Sequence, residues 1–226
     1  MKTHLFTTLA LLYAVSLAAQ APTPDAAQKS DPATHTAPVA QVHTSDLGFS
    51  YSIPSDWEVV DAQPMLPVIK QQETQKASSE YEKKGAACLQ IALVARHGDP
   101  VSVIEEIAIP FDCFGQTFTD KDLPAVVTGV SEGLKKSFEM SGPIYGAYTL
   151  GAHSLWIERA SGTYIAHPEF KRTVETVCSV LKKGVVCWAA LTADDNALQT
   201  FEQGAVTLDG EAATTLVPTN ALQKKP

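Results

Sequence analysis

Residues 172–193 hold two apolar, β-branched runs separated by a short polar break, a pattern that predicts an antiparallel hairpin. Each run carries one cysteine, Cys178 or Cys187. If residues 181–184 form a four-residue loop, the two cysteines face each other at a distance that a disulfide can span. A three-residue loop would place Trp188 opposite Cys178 and exclude that bond. The odd spacing of nine residues favours the bridged hairpin.

The chain has two further cysteines, Cys88 and Cys113. An even number of cysteines in an exported protein favours disulfides, and four of them allow three connectivities. If Cys178 pairs with Cys187, then Cys88 and Cys113 remain as the second pair. No Cys-x-x-Cys spacing occurs, so we interpret all four as structural rather than redox-active or metal-binding.

The N-terminus predicts export. Residues 1–19 have a basic start, an apolar run too short to span a bilayer and small residues at the end, as in a signal peptide. Residues 20–43 are rich in Ala, Pro, Thr and Gln, which predicts a flexible linker. We expect one domain over 44–208 and a flexible, frayed tail over 209–226. The mature protein is then periplasmic or secreted, without a transmembrane segment.

Charge narrows the range of partners. Lys and Arg number 17 against 25 Asp and Glu, a formal net charge of −8, and only three of the basic residues are Arg. A nucleic-acid binder needs a basic face for phosphate contacts, so nucleic acid is excluded as a partner.

The periodicity predicts an α+β fold. Strand patterns come before and after one central helix, and the links between them are short, so the sheet should be mainly antiparallel with about six or more strands. These patterns fall at 47–54, 57–60, 88–96, 101–109, 143–150, 152–160, 172–181 and 185–193. Residues 66–84 predict a helix or an exposed excursion.

Two amphipathic helices should pack on this sheet. Asp120 or Asp122 can cap the first helix, and Asp194 or Asp195 the second. The inward face of the first helix is predicted to comprise Leu123, Val126, Val127, Val130, Leu134 and Phe138. For the second helix, the expected inward residues are Leu198, Phe201 and Ala205.

The segment GFSYSIPSDW, with Gly48, Phe49, Ile53, Pro54 and Trp57, resembles the opening signature of the PsbP-like fold. That group includes an extrinsic photosystem II protein, a nuclear-import factor that binds the GTPase Ran, and many small bacterial periplasmic proteins. The resemblance implies an antiparallel sheet between helices (an α/β/α sandwich) and a binding or assembly role rather than shared chemistry. Residues 62–85 and the four cysteines depart from the pattern of that group.

Arg96-His97-Gly98 after an apolar run matches the phosphate-pocket motif of histidine phosphatases, in which the His is the nucleophile and the Arg binds the phosphoryl oxygens. Such an enzyme would also need a second Arg, a second His and an acid. The candidates are His153 with Glu158 and Arg159, or His167 with Glu169 and Arg172. The alternative is a hairpin turn, because Gly98 tolerates positive φ and Asp99-Pro100 suits a tight turn. The alternating run that follows favours the turn.

Other catalytic arrangements find less support in the sequence. A Gly-x-Ser-x-Gly elbow is absent, and His153 and Ser154 should point to opposite faces of a strand. No metal-ligand spacing is present and no cofactor is implied. The aromatic residues Tyr145, Tyr148 and Trp156 on the 143–164 hairpin are the candidate ligand or partner surface. We therefore expect a non-catalytic binding or assembly module whose partner is an envelope protein or a small ligand.

Overall fold

In the computed structural model, residues 41–222 are described. The predicted signal peptide and most of the predicted linker lie outside this range. The core is a seven-stranded antiparallel sheet with the order β3-β4-β5-β9-β8-β7-β6. Its strands are β3 Glu58–Val59, β4 Gln90–His97, β5 Ser102–Pro110, β6 Phe138–Leu150, β7 His153–Tyr164, β8 Lys171–Val180 and β9 Gly184–Thr192. The α+β class and the antiparallel sheet predicted from the sequence are confirmed.

Every residue of β5 and β9 is buried, because both faces of the sheet are covered. The two faces differ in what covers them. One, the helix side, packs against α1 Leu66–Lys76, α2 Glu80–Cys88, α3 Phe111–Phe114 and α4 Leu123–Leu134. Among the described residues, no helix is long and apolar enough to cross a membrane.

Helix α4 has the predicted inward face from Leu123 to Leu134. It follows a 3-10 turn at Asp120–Asp122, where Thr119 and Asp122 form a capping box. Phe138 was predicted to extend the helix, but it begins β6 instead. Its apolar side chain faces the same core from the sheet, so the burial prediction holds while the helical one is wrong.

The other face, the small-sheet side, is covered by a four-stranded sheet and one helix. This sheet contains β1 Gln41–Ser45, β2 Phe49–Ile53, β10 Ala205–Leu208 and β11 Thr214–Thr215, and the helix is α5 Asp195–Glu202. Asp194 caps α5, and Leu198 and Phe201 point inward as predicted. Ala205 lies in β10 and is exposed, because the helix ends before it and the strand pairs with β2.

Both ends of the predicted domain require correction. Residues 41–43 belong to β1 rather than to a linker, since β1 pairs with β2 along its whole length. Residues 209–222 are not a frayed tail, because Leu216, Val217 and Ala221 are buried in the core on the small-sheet side. Their small apolar side chains complete a core that the local sequence pattern does not reveal.

The hairpin β8–β9 has the register of the four-residue loop. Cys178 faces Cys187, and these two residues form a disulfide. A second disulfide joins Cys88 in α2 to Cys113 in α3, also on the helix side. At the loop, Gly184 is required by close packing, because a Cβ there would lie 2.8 Å from the carbonyl oxygen of Ile109.

Candidate functional site

A groove of about 1020 Å³ opens beside the first half of β4. It exists because β3 pairs only with Ala95 and Arg96, and because a bulge between Ile91 and Leu93 interrupts the register with β5. We call it the β4 groove. It is lined by His43, Ser45, Asp46, Leu47, Gln63, Leu66, Lys70, Gln90, Ile91, Ala92, Pro110, Phe111, Asp112, Cys113, Lys182 and Lys183.

One wall of the β4 groove carries a charged pair with one buried member. His43 on β1 is half-buried, and its Nδ1 lies 2.7 Å from Oε2 of Glu106, which is fully buried in β5. The other carboxylate oxygen of Glu106 accepts a hydrogen bond of 3.0 Å from Nε1 of Trp188. At 2.7 Å, His43 and Glu106 form an ion pair when His43 is protonated.

The two groups influence each other's titration. Contact with Glu106 raises the pKa of His43. Burial raises the pKa of Glu106, whereas His43 and the indole N–H of Trp188 oppose that rise by stabilising the carboxylate. Because Nδ1 faces Glu106, Nε2 is the ring nitrogen left to face a ligand.

His43 lies at the end of the segment 20–43 that the sequence predicts to be a linker. The residues around it have no strong apolar periodicity, and β1 is a strand only because β2 lies beside it. A signal did exist in the strand it contacts. Glu105 and Glu106 lie within the otherwise apolar run of β5, and buried carboxylates require either a partner or a proton.

Arg96 and His97 do not form a phosphate pocket. Arg96 donates a hydrogen bond of 2.8 Å from Nε to Glu58, while His97 contacts the carbonyl oxygen of Asp56 at 3.0 Å and stacks on Trp57. Gly98, with φ of 77°, begins the turn to β5, as the turn interpretation predicts.

The basic groups that the phosphatase alternative needs lie elsewhere. Arg159, four strands away across the sheet at roughly 19 Å, pairs with Glu175 and Glu202. His153 lies at the opposite end of the sheet near Asp209, and His167 contacts Glu169. The structure therefore gives no support to His97 as a nucleophile.

The three predicted aromatic residues do not share one surface. Tyr145 and Trp156 are on the helix side of the β6–β7 hairpin, whereas Tyr148 points to the small-sheet side and donates a hydrogen bond of 2.7 Å to the carbonyl oxygen of Leu216. Tyr148 and Trp156 do meet at a second cavity of about 560 Å³. We call this the hairpin cavity, which is lined by Asp120, Leu123, Ala147, Tyr148, Thr149, Ser154, Leu155, Trp156, Pro218 and Asn220.

The remaining polar candidates have local roles. Ser154 donates a hydrogen bond of 2.6 Å to Asp120, and this contact joins the hairpin to the start of α4. Within residues 41–222, no group of three or more His, Cys, Asp or Glu is placed to hold a metal ion.

Comparisons with known proteins concern the fold. No family model matches the chain, and no curated protein sequence matches it either. The structure is similar to the solution structure of cyanobacterial PsbP (CyanoP) from Synechocystis sp. PCC 6803. The two share 14% sequence identity over 75% of this chain and 89% of that chain, with a TM-score of 0.41. That protein bears the name of the family to which the segment at 48–57 is similar.

Proposed function

We propose that this chain is an exported, non-catalytic binding module of the bacterial cell envelope, and that it holds a small ligand in the β4 groove. The observation that carries the proposal is the groove itself. Its volume of about 1020 Å³ lies at the upper end of the range of small-molecule sites, and one wall presents His43 backed by the buried Glu106.

Export is supported by two independent features. The N-terminal sequence has the pattern of a signal peptide, and the two disulfides are bonds that persist in oxidising compartments. A binding role without catalysis is supported by the separate positions of Arg96, His97 and Arg159, each of which has its own structural partner.

The test is native mass spectrometry of the mature protein purified from the envelope of its own host. We expect a bound molecule in the small-metabolite range. Ala92→Trp places an indole in the β4 groove and should abolish that adduct. The matched control is Ala147→Trp, which fills the hairpin cavity and should leave the adduct unchanged.

The other outcomes overturn the proposal in distinct ways. Loss of the adduct only from Ala147→Trp would move the site to Tyr148 and Trp156. An adduct that both variants keep, or the absence of any small adduct from the wild-type protein, would reject the β4 groove as a ligand site.

A further inference from the structure

The β4 groove has the opposite charge to the rest of the protein. The chain has a formal net charge of −8. The side chains that line the groove nevertheless include four basic groups, His43, Lys70, Lys182 and Lys183, against two acidic ones. A local excess of basic groups in an acidic protein favours binding of an anion.

One of the two acidic residues of the groove has a local contact through its carboxylate, and the other has one through its backbone oxygen. Asp112 accepts a hydrogen bond of 2.7 Å from the backbone N–H of Cys113. Asp46 presents its backbone oxygen to Nζ of Lys183 at 3.0 Å, which holds the β1–β2 turn against the β8–β9 loop. Lys183 is thus a structural cation at the rim of the groove.

Lys70 and Lys182 differ from Lys183 in this respect. Lys70 projects from α1 and Lys182 from the β8–β9 loop, and neither forms an ion pair with a residue of the described chain. Lys76, Lys83 and Lys135, by contrast, each pair with a glutamate one helical turn away. Two free ammonium groups therefore border the same groove from different elements.

His43 adds a donor whose direction is fixed. With Nδ1 held at Glu106, a protonated imidazole has Nε2–H as its remaining donor. The carboxylate of Glu106 is fully buried behind the ring, so it favours the charged form of His43 without occupying the groove. Lysine and imidazolium donors form their strongest hydrogen bonds with carboxylate and phosphate oxygens.

We infer that the β4 groove binds a small oxyanion, a molecule that carries carboxylate or phosphate groups, through Lys70, Lys182 and His43. The inference rests on the proposed function and specifies the class of ligand. Lys70 and Lys182 bind the oxyanion groups from the two sides of the groove, and His43 donates from its inner wall. Each charge-assisted contact contributes enough that its loss weakens binding about fivefold to tenfold.

The experiment is isothermal titration calorimetry of the full mature chain with citrate, with inorganic pyrophosphate and with the neutral sugar glucose. We expect saturable binding of one or both anions, none of glucose, and weaker binding at higher salt. The citrate and pyrophosphate arms separate carboxylate from phosphate ligands. Lys70→Gln and Lys182→Gln should each lower the affinity about fivefold to tenfold, and the control Lys136→Gln, at the far end of α4, should not change it.

His43 gives the binding a pH dependence. Contact with Glu106 raises the pKa of His43. The anion should therefore bind well at pH 6, where His43 is protonated, and progressively less as the pH rises through the pKa of His43. His43→Gln should remove this dependence while the circular dichroism spectrum stays the same. His43 faces Glu106 on β5, and Phe49 and Tyr51 on β2. Trp188 contacts the far oxygen of Glu106, and Asp46 and Lys183 lie at the rim of the groove.

Two results would overturn the inference. One is that neither anion binds; the other is that Lys136→Gln weakens binding as much as the groove variants do, which would indicate non-specific attraction. Failure here is distinguishable from failure of the proposed function. A neutral molecule retained in native mass spectrometry and lost from Ala92→Trp would leave the binding module intact and reject only the oxyanion.

Discussion

Glu105 and Glu106 are adjacent in β5, yet they meet opposite environments. Glu106 points to the small-sheet side, where His43 and Trp188 contact its carboxylate. Glu105 points to the helix side between Val94 and Ala189, and its Oε2 has no hydrogen-bond partner in the described chain. Burial alone raises the pKa of Glu105 to about 7.

The two faces of the sheet differ in the same way beyond this pair of glutamates. The small-sheet side buries a second acid, Glu175, but places Arg159 against it at 2.5 Å. The helix side carries both disulfides, and near Glu105 it buries Thr176, whose hydroxyl has no described partner. Covalent bonds and apolar packing thus stabilise one face, while charged pairs that join separate elements stabilise the other.

Arg159→Met should have the largest effect, because it leaves Glu175 buried without a cation. We expect a loss of about 3–4 kcal/mol in the free energy of unfolding at pH 8. At pH 5 the loss should be about 1 kcal/mol smaller, since Glu175, whose pKa is about 7 even beside Arg159, is then protonated. Urea unfolding at the two pH values measures this. Equal losses at both would show that Glu175 does not carry the penalty.

Removing the Cys88–Cys113 disulfide tests the covalent side of the comparison. The bridge spans 25 residues, and the chain-entropy model gives a loss of about 3.5 kcal/mol for Cys88→Ser with Cys113→Ser. The bridge over nine residues, removed by Cys178→Ala with Cys187→Ala, should cost about 2.5 kcal/mol by the same model. Thermal and urea unfolding would measure both.

Thiol labelling of the folded, non-reduced wild-type protein serves as the control and should find no free cysteine. Two labelled thiols per chain would contradict the two-bridge arrangement.

Glu105→Gln should stabilise the protein at neutral pH and above, because Glu105 is buried without a cation beside it in the described chain. The folded state binds a proton at Glu105 more tightly than the unfolded state, so stability falls as the pH rises from about 4.5 to about 7. Above pH 7 the ionisation of the buried Glu105 lowers the free energy of unfolding by about 3 kcal/mol. The glutamine of the variant does not ionise, so this loss is absent from it. At pH 4 wild type and variant should be nearly equal. A variant less stable than wild type at pH 8 would mean that a partner for the carboxylate exists.

His97→Ala should have the smallest effect, a loss of about 1 kcal/mol. The sequence alone predicts no loss, because the residue adjoins a turn. The structure shows the ring stacked on the buried Trp57, with a contact to the Asp56 carbonyl oxygen, and these interactions have a modest value. His97→Phe keeps the ring and should recover most of the stability in a thermal melt. If His97→Phe recovers no stability, the loss in His97→Ala comes from the polar contact with Asp56.

Local patterns predicted the elements whose burial follows from their own sequence. Helix α4, the β8–β9 hairpin and the turn at Gly98 all have a periodicity or a turn residue that is visible in the chain. The β4 groove could not be predicted in this way. It depends on a bulge in β4, on the limited pairing of β3, and on His43 in a strand without apolar periodicity.

The sequence by itself determined an α+β chain with an antiparallel sheet, an acidic charge and cysteines spaced for bridges, because period, composition and spacing are local quantities. Only the tertiary structure decided which residues of distant segments meet. His43 and Glu106 are 63 positions apart, and strand alternation directs Glu106 toward His43 while it directs Glu105 away. Two adjacent identical residues have different surroundings because the two faces of one sheet are covered by different parts of the chain.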